Sequence, residues 1–210
     1  MNYNSIYALG DIHGSFQTAK YVAKNNPNDL IIQVGDFGIG FGDNPPNHAL
    51  PSNLKFFQGN HDNYKEMEAY DGYLGRFGII PDSRKRIMFI AGAETPNFDI
   101  KRRTPGVDWW DHEHLSIEEL DRAIEFAKDF KPEIVLSHDG PQEVVREMFK
   151  DKIMPSEPFN ESLTRNALQV ILDETSPEAW WFGHWHMYRT LQYKNTTCTC
   201  LGLLQAKKIL

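Results

Sequence analysis

The sequence predicts an α/β protein, and three observations carry that expectation. Short apolar runs alternate with segments of helical period along the chain. Small polar motifs rich in Gly, Asp and His follow several of the apolar runs directly. No linker, internal repeat or low-complexity stretch divides the 210 residues, so one domain over 1–210 is expected.

The elements follow in order. Residues 5–9 form the first apolar run and 16–25 the first helical pattern. Short runs at 30–34, 54–58 and 87–91 predict strands. The clearest helix spans 116–130: Ser116 and Glu119 have capping-box spacing, and Ile117, Leu120, Ile124, Ala127 and Phe130 fall close to one face. A strand at 134–136, helices at 142–149 and 161–174, and strands at 180–182, 188–193 and 196–204 complete the pattern. Two stretches, 38–53 and 94–114, read as long loops, which in a compact domain are often functional.

Composition narrows the function classes. Hydrophobic residues make up 40% and charged residues 24% of the chain, as in a globular domain that builds its own core. No run approaches the roughly 18 apolar residues of a membrane helix. The opening MNYNSIYALGDIHG has neither a basic region nor a long apolar stretch, so no secretory signal and no membrane partner are expected. The net charge of −7 argues against a protein that coats DNA, which needs a basic face. Bound divalent ions would nevertheless put positive charge where phosphate binds. Cys198 and Cys200, two apart in a strand, share a face and read as small packing residues. A reducing, cytoplasmic location fits them.

The chemistry is concentrated in five motifs: Gly10-Asp11-Ile12-His13-Gly14, Gly35-Asp36-Phe37-Gly38, Gly59-Asn60-His61-Asp62, Ser137-His138-Asp139-Gly140-Pro141 and Gly183-His184-Trp185-His186. Each follows a predicted strand, and ligand sites of α/β sheets form at the carboxyl ends of strands. Any one of them alone is ordinary turn chemistry. Together and in this order they are not explained by turns. Carboxylate, imidazole and amide oxygen suit Mn, Fe, Zn, Ni or Mg better than copper. Asp11 and His13, two apart, can face one ion in an extended segment, and His184 and His186 share that spacing.

This ordered set resembles the calcineurin-like metallophosphoesterase superfamily over residues 10–186. The resemblance implies a four-layer fold, two mixed β-sheets packed face to face with flanking helices. It implies two divalent ions, with Mn as the leading expectation. Asp11, His13 and His186 are similar to the family's ligands of the first ion, and Asn60, His138 and His184 to those of the second. Asp36 resembles the carboxylate that bridges both, and His61 the catalytic histidine beside the leaving oxygen. The implied reaction is hydrolysis of phosphomonoesters or phosphodiesters by a metal-activated hydroxide. In it His61 serves as acid or leaving-group stabiliser, with Asp62 or Asp139 as candidates to orient it. The implied partner is a small phosphorylated substrate or nucleotide; nucleic acid is not favoured. The oligomeric state is left open.

The sequence departs from the protein-phosphatase branch. No arginine follows Asp36 or the Gly-Asn-His motif, where that branch carries phosphate-gripping forks. A Ser/Thr protein phosphatase is therefore a secondary reading, as is a metal-dependent nuclease. A scaffold without catalysis ranks last, because the matched positions are all filled. Lys101, Arg102 and Arg103 are candidate replacements for the missing arginines, Arg102 and Arg103 being the substrate-binding candidates; the bland alternative is a solvated cluster. Gly106-Val107-Asp108-Trp109-Trp110 resembles a segment of uncharacterised phage and bacterial members. Its tryptophans either stack on a base or pack the loop to the core. His112 and His114 read as surface residues, and Trp180, Trp181 and Trp185 as core or cleft wall.

Overall fold

The computed structural model describes residues 3–41, 49–81, 83–152 and 162–210. In chain order the elements are β1 (Ile6–Leu9), α1 (Phe16–Asn25), β2 (Leu30–Gln33), β3 (Leu54–Phe56), α2 (Tyr64–Met67), β4 (Phe77–Ile79), β5 (Ile87–Ile90) and α3 (Asn97–Ile100). There follow α4 (Ile117–Phe130), β6 (Ile134–Ser137), α5 (Gln142–Met148), α6 (Leu163–Thr175), β7 (Ala179–Phe182), β8 (Arg189–Tyr193), β9 (Thr196–Cys200) and β10 (Ala206–Lys208).

The described strands form two mixed sheets, ordered β10-β1-β2-β3 and β4-β5-β6-β7-β9-β8. Strands β1, β2 and β3 run parallel, as do β5, β6, β7 and β9; the remaining strands pair antiparallel at the edges. Side-chain alternation splits the first sheet between two cores. Ile6, Ala8, Leu30 and Ile32 face a core shared with the second sheet. Leu9, Ile31, Leu54 and Phe56 face Phe16, Ala19 and Ala23 of α1 and Met67 of α2. Strands β5 and β6 are buried along their whole length, so the shared core continues through them to Leu120, Ala123 and Ala127 of α4 and Leu168, Ile171 and Leu172 of α6. The result is four layers with the two sheets inside. Among the described residues no helix is long and apolar enough to cross a membrane.

Helix α4 forms for the reasons its sequence gives. Ser116 accepts from the Glu119 N–H, and the Glu119 carboxylate accepts from the Ser116 N–H, satisfying two of the orphan donors at the helix start. Lys131 ends it in a left-handed conformation.

Several expectations need correction. The strand expected over 196–204 stops at Cys200. The apolar residues Leu201, Leu203 and Leu204 suggest continuation, but the chain turns there, with Leu204 at φ 56, and β10 crosses to the other sheet. Leu203 and Leu204 are left exposed. The helix expected over 161–174 runs Leu163–Thr175; Glu161 lies outside the described residues. The short elements α2, α3 and β4 carry too few residues to show a period. Of the loop expected over 38–53, residues 42–48 lie outside the described residues.

Replacing Ser116 by Ala is expected to lower unfolding stability by about 1 kcal/mol. Urea denaturation of the variant checks this.

Candidate metal centre and its surroundings

The carboxyl ends of parallel strands from both sheets meet at one place. Residues after β1, β2 and β3 arrive from the first sheet, and those after β6 and β7 from the second. Asp11, Asp36, Asn60 and His138 are buried. Ligand atoms of Asp11, His13, Asp36 and His186 lie within 4.8 Å of one another, as do those of Asp36, His138 and His184. Asp36 belongs to both groups. Its Oδ2 lies 3.6 Å from His13 Nε2 and its Oδ1 lies 3.2 Å from His138 Nε2. In the first group His186 Nε2 is 3.0 Å from Asp11 Oδ2 and 2.9 Å from His13 Nε2. In the second, Asn60 Oδ1 lies 3.1 Å from His138 Nε2 and 3.0 Å from His184 Nδ1. The structure thus brings together all seven residues that the sequence pointed to as ligands.

Local backbone geometry makes this convergence possible. His13, Asp36, His184 and His186 have φ of 41, 56, 66 and 55°, in the left-handed region that costs a non-glycine residue about 1–3 kcal/mol. Each sits where the chain turns off a strand end. Two glycines leave room for the carboxylates. A Cβ on Gly59 would lie 2.1 Å from Asp36 Oδ1, and one on Gly183 2.1 Å from Asp11 Oδ1. Backbone donors then fix the acids. His61 N–H bonds Asp36 Oδ1 at 2.8 Å, and His184 N–H bonds both oxygens of Asp11 at 3.1 and 3.0 Å.

The donor set fits divalent cations. The Nδ1 of His138 lies 2.9 Å from the Val34 carbonyl, which accepts its proton and leaves Nε2 facing Asp36 and Asn60, where a cation would take the place of the second ring proton. Burial works to lower the His138 pKa, yet the facing Asp36 carboxylate raises it to about 10. Burial likewise opposes ionisation of Asp36, and the imidazoles of His138, His61 and His13 hold it well below the carboxylate range. This pocket draws positive charge to the point where the ligand atoms meet.

Neither expected orienting carboxylate reaches His61. Asp62 accepts the backbone N–H groups of Phe37, Gly38, Ile39 and Gly59 at 3.1, 2.6, 3.2 and 2.8 Å. It clamps the second motif to the third. Burial and the Asp36 charge push it up to about 6, against the pull of those N–H bonds. Asp139 accepts from Gly140 N–H, Trp185 Nε1–H and Arg165. Both acids are taken up elsewhere, Asp62 by backbone N–H groups and Asp139 by one backbone N–H and two side chains.

Arginine faces His61 instead. Arg103 Nη2 lies 3.3 Å from His61 Nε2, and Asp99 holds the guanidinium. The Arg103 guanidinium also lies over Phe41, 4.9 Å from its centroid. Phe41 approaches His61 at 4.8 Å and Trp110 at 6.1 Å. Burial lowers His61 to about 4, with Asp36 raising it and Arg103 lowering it further. Lys101 and Arg102 are exposed. Trp109 and Trp110 are half-buried, His112 is exposed and His114 partly so. Trp180 is fully buried, and Trp185 stacks on Phe149 at 4.7 Å. Cys198 and Cys200 are buried and free, and burial pushes the Cys198 thiol up to about 12.

The sequence pattern of the calcineurin-like phosphoesterases matches residues 5–188. The chain belongs to that family. As a calcineurin-like phosphoesterase it is a metal-dependent phosphoric ester hydrolase. No curated protein matches it in sequence. Among solved structures, the phosphopantetheinyl hydrolase of Mycobacterium tuberculosis superposes with a TM-score of 0.56 at 12% identity, covering 98% of this chain and 95% of that one. A putative 5'-nucleotidase from Staphylococcus aureus superposes with a TM-score of 0.50 at 14% identity, covering 95% of this chain. This phosphoesterase spans about half of that protein, 48% of its length. At these identities the likeness establishes the fold alone.

Sequence reasoning missed Thr95 and Glu113, which stand behind Asn60, and Phe41 and Asp99, which contact His61 and Arg103. None sits at a fixed spacing from the motifs, so no sequence signal marks them.

Replacing Asp62 by Ala strands four backbone N–H groups and is expected to cost about 3–5 kcal/mol of stability. Thermal unfolding of the variant against the parent checks it, and a loss below about 1 kcal/mol would refute the clamp.

Proposed function

We propose that this chain is a dinuclear phosphoesterase acting on small phosphorylated substrates, nucleotides included, with Asp36 bridging two divalent ions. The observation that carries the reading is the division of the Asp36 carboxylate, with Oδ2 toward His13 and Oδ1 toward His138. Asp11, His13 and His186 would hold one ion and Asn60, His138 and His184 the other. Manganese is the preferred metal, and the oxygen and imidazole donors also accept Fe, Zn, Ni or Mg. When bound, such ions polarise phosphoryl oxygens and acidify water.

The chain's own groups supply the rest. His61 lies at the edge of the first group, 5.0 Å ring to ring from His13. An arriving phosphoryl anion raises the imidazole pKa and makes it a proton donor to the leaving oxygen. Arg103, pinned by Asp99, offers a fork to the phosphoryl oxygens from the side of His61. It takes the place of the arginines that the protein phosphatases carry elsewhere. Phe41 and Trp110 beside it give the leaving group an aromatic wall. The substrates named for the two structural neighbours, a nucleotide and phosphopantetheine, are small phosphorylated compounds and agree with such a cleft. The cytoplasm is the proposed compartment, on the strength of the buried free thiols.

Metal-stripped protein reloaded with Mn should hydrolyse members of a chromogenic monoester and diester panel, and Asp36→Asn should lose both ions and turnover. Full turnover by Asp36→Asn would sink the proposal. His61→Ala is expected to lower kcat by roughly 10²–10⁴ with both ions retained, as metal analysis would register. Arg103→Ala should lower kcat/KM by ~10–100-fold, the worth of a charged hydrogen bond, as measured on the best substrate of that panel.

A further inference from the structure

Asn60 poses a problem that its own position does not solve. Its amide has an oxygen end and a nitrogen end of nearly equal shape, and only the oxygen binds a cation. Turned the other way, the amide would aim N–H donors at the place where His138 Nε2 and His184 Nδ1 converge, and would hold no cation there. Which end faces the second ligand group is decided by the partners of the amide on its far side.

Those partners come from the two ends of the 94–114 stretch. Asn60 Nδ2 donates to Thr95 Oγ1 at 3.2 Å. Thr95 Oγ1 donates to Glu113 Oε2 at 2.6 Å, and Thr95 N–H donates to Glu113 Oε1 at 2.6 Å. A hydroxyl has one proton to give. Because Glu113 takes it, Thr95 Oγ1 can only accept on the side facing Asn60, and only the amide nitrogen satisfies it. Asn60, Thr95 and Glu113 are 2, 5 and 3% exposed, so water does not compete for these bonds.

The pair is itself held firmly. Gln58 donates to the carbonyls of His112 and Glu113 at 2.9 and 3.1 Å. Arg76 donates to the carbonyls of His112 and His114, and pairs with Glu119 of the α4 capping box. Glu113 therefore cannot follow Thr95 if the hydroxyl turns.

We propose that Thr95 and Glu113 are positioning residues that fix the Asn60 amide with its oxygen toward the second ion, so that this ion's affinity depends on a proton held between two residues that never touch it. The proposal rests on the dinuclear reading above. Outer partners of this kind are worth about 10–100-fold in metal affinity.

Titration of Mn into metal-stripped protein, followed by calorimetry, tests it. Glu113→Gln keeps the shape of the side chain but offers an N–H to Thr95 Oγ1, freeing the hydroxyl proton to point at Asn60. This variant and Thr95→Val should each weaken the second ion by about 10–100-fold. The first ion, held by Asp11, His13 and His186, should bind as before, and Thr95→Ser should restore the second. Thermal unfolding of the metal-free Glu113→Gln variant should match the parent. Wild-type affinity for the second ion in both Glu113→Gln and Thr95→Val overturns the proposal. So does an equal loss at both ions accompanied by a lower unfolding temperature, which marks a merely structural role. If the parent protein itself takes up only one ion, the dinuclear reading fails instead.

Discussion

Everything around the centre depends on one buried carboxylate facing two ways. Asp36 is 1% exposed at the end of β2, and its oxygens address imidazoles from different sheets. Its backbone is committed as well, since its carbonyl accepts the N–H groups of Ile12 and His13 at 3.1 and 2.9 Å. The first two motifs therefore cannot move independently. A charge this deep is tolerated only when it is fully paired. The pairing available here is imidazole and backbone N–H, and with Asp11 in the same ligand group the place favours a cation.

The neighbouring acids do different work from Asp36. Asp62 and Asp139 look from their positions in the motifs like partners of the chemistry. Asp62 instead collects four backbone N–H groups, and Asp139 ties Trp185 and Arg165 to the end of β6. These bonds, with the glycines that let backbone approach Asp36 and Asp11, offset the strain of four left-handed residues. The arrangement is set before any substrate arrives, which is what electrostatic catalysis requires.

The 94–114 stretch acts at its ends and in its middle. Glu94 at one end caps α6, accepting from the Ser162 hydroxyl and the Thr164 N–H. Thr95 and Glu113 bracket Asn60 from behind. The middle carries Arg103 and Trp110 over His61 and Phe41. This stretch thus places a guanidinium beside His61 in a chain with no arginine directly after Asp36 or the Gly-Asn-His motif. The cage and the cleft wall are built from separate stretches, so one can be kept while the other varies.

The sequence by itself determined the α/β class and the order of the main strands and helices, and it pointed to the seven residues that the structure brings together. It could do so because those signals are local: apolar runs, a capping box at Ser116 and Glu119, and short motifs placed directly after strands. It overran at residues 201–204, because apolar composition continues through a turn whose cause is a left-handed Leu204 and a change of sheet. Only the tertiary structure decided which acids are structural, that Arg103 rather than Arg102 faces His61, and that Thr95 and Glu113 stand behind Asn60. Asn60 and Thr95 are 35 residues apart and His61 and Arg103 42, and no periodicity or spacing encodes a contact made by folding two sheets together.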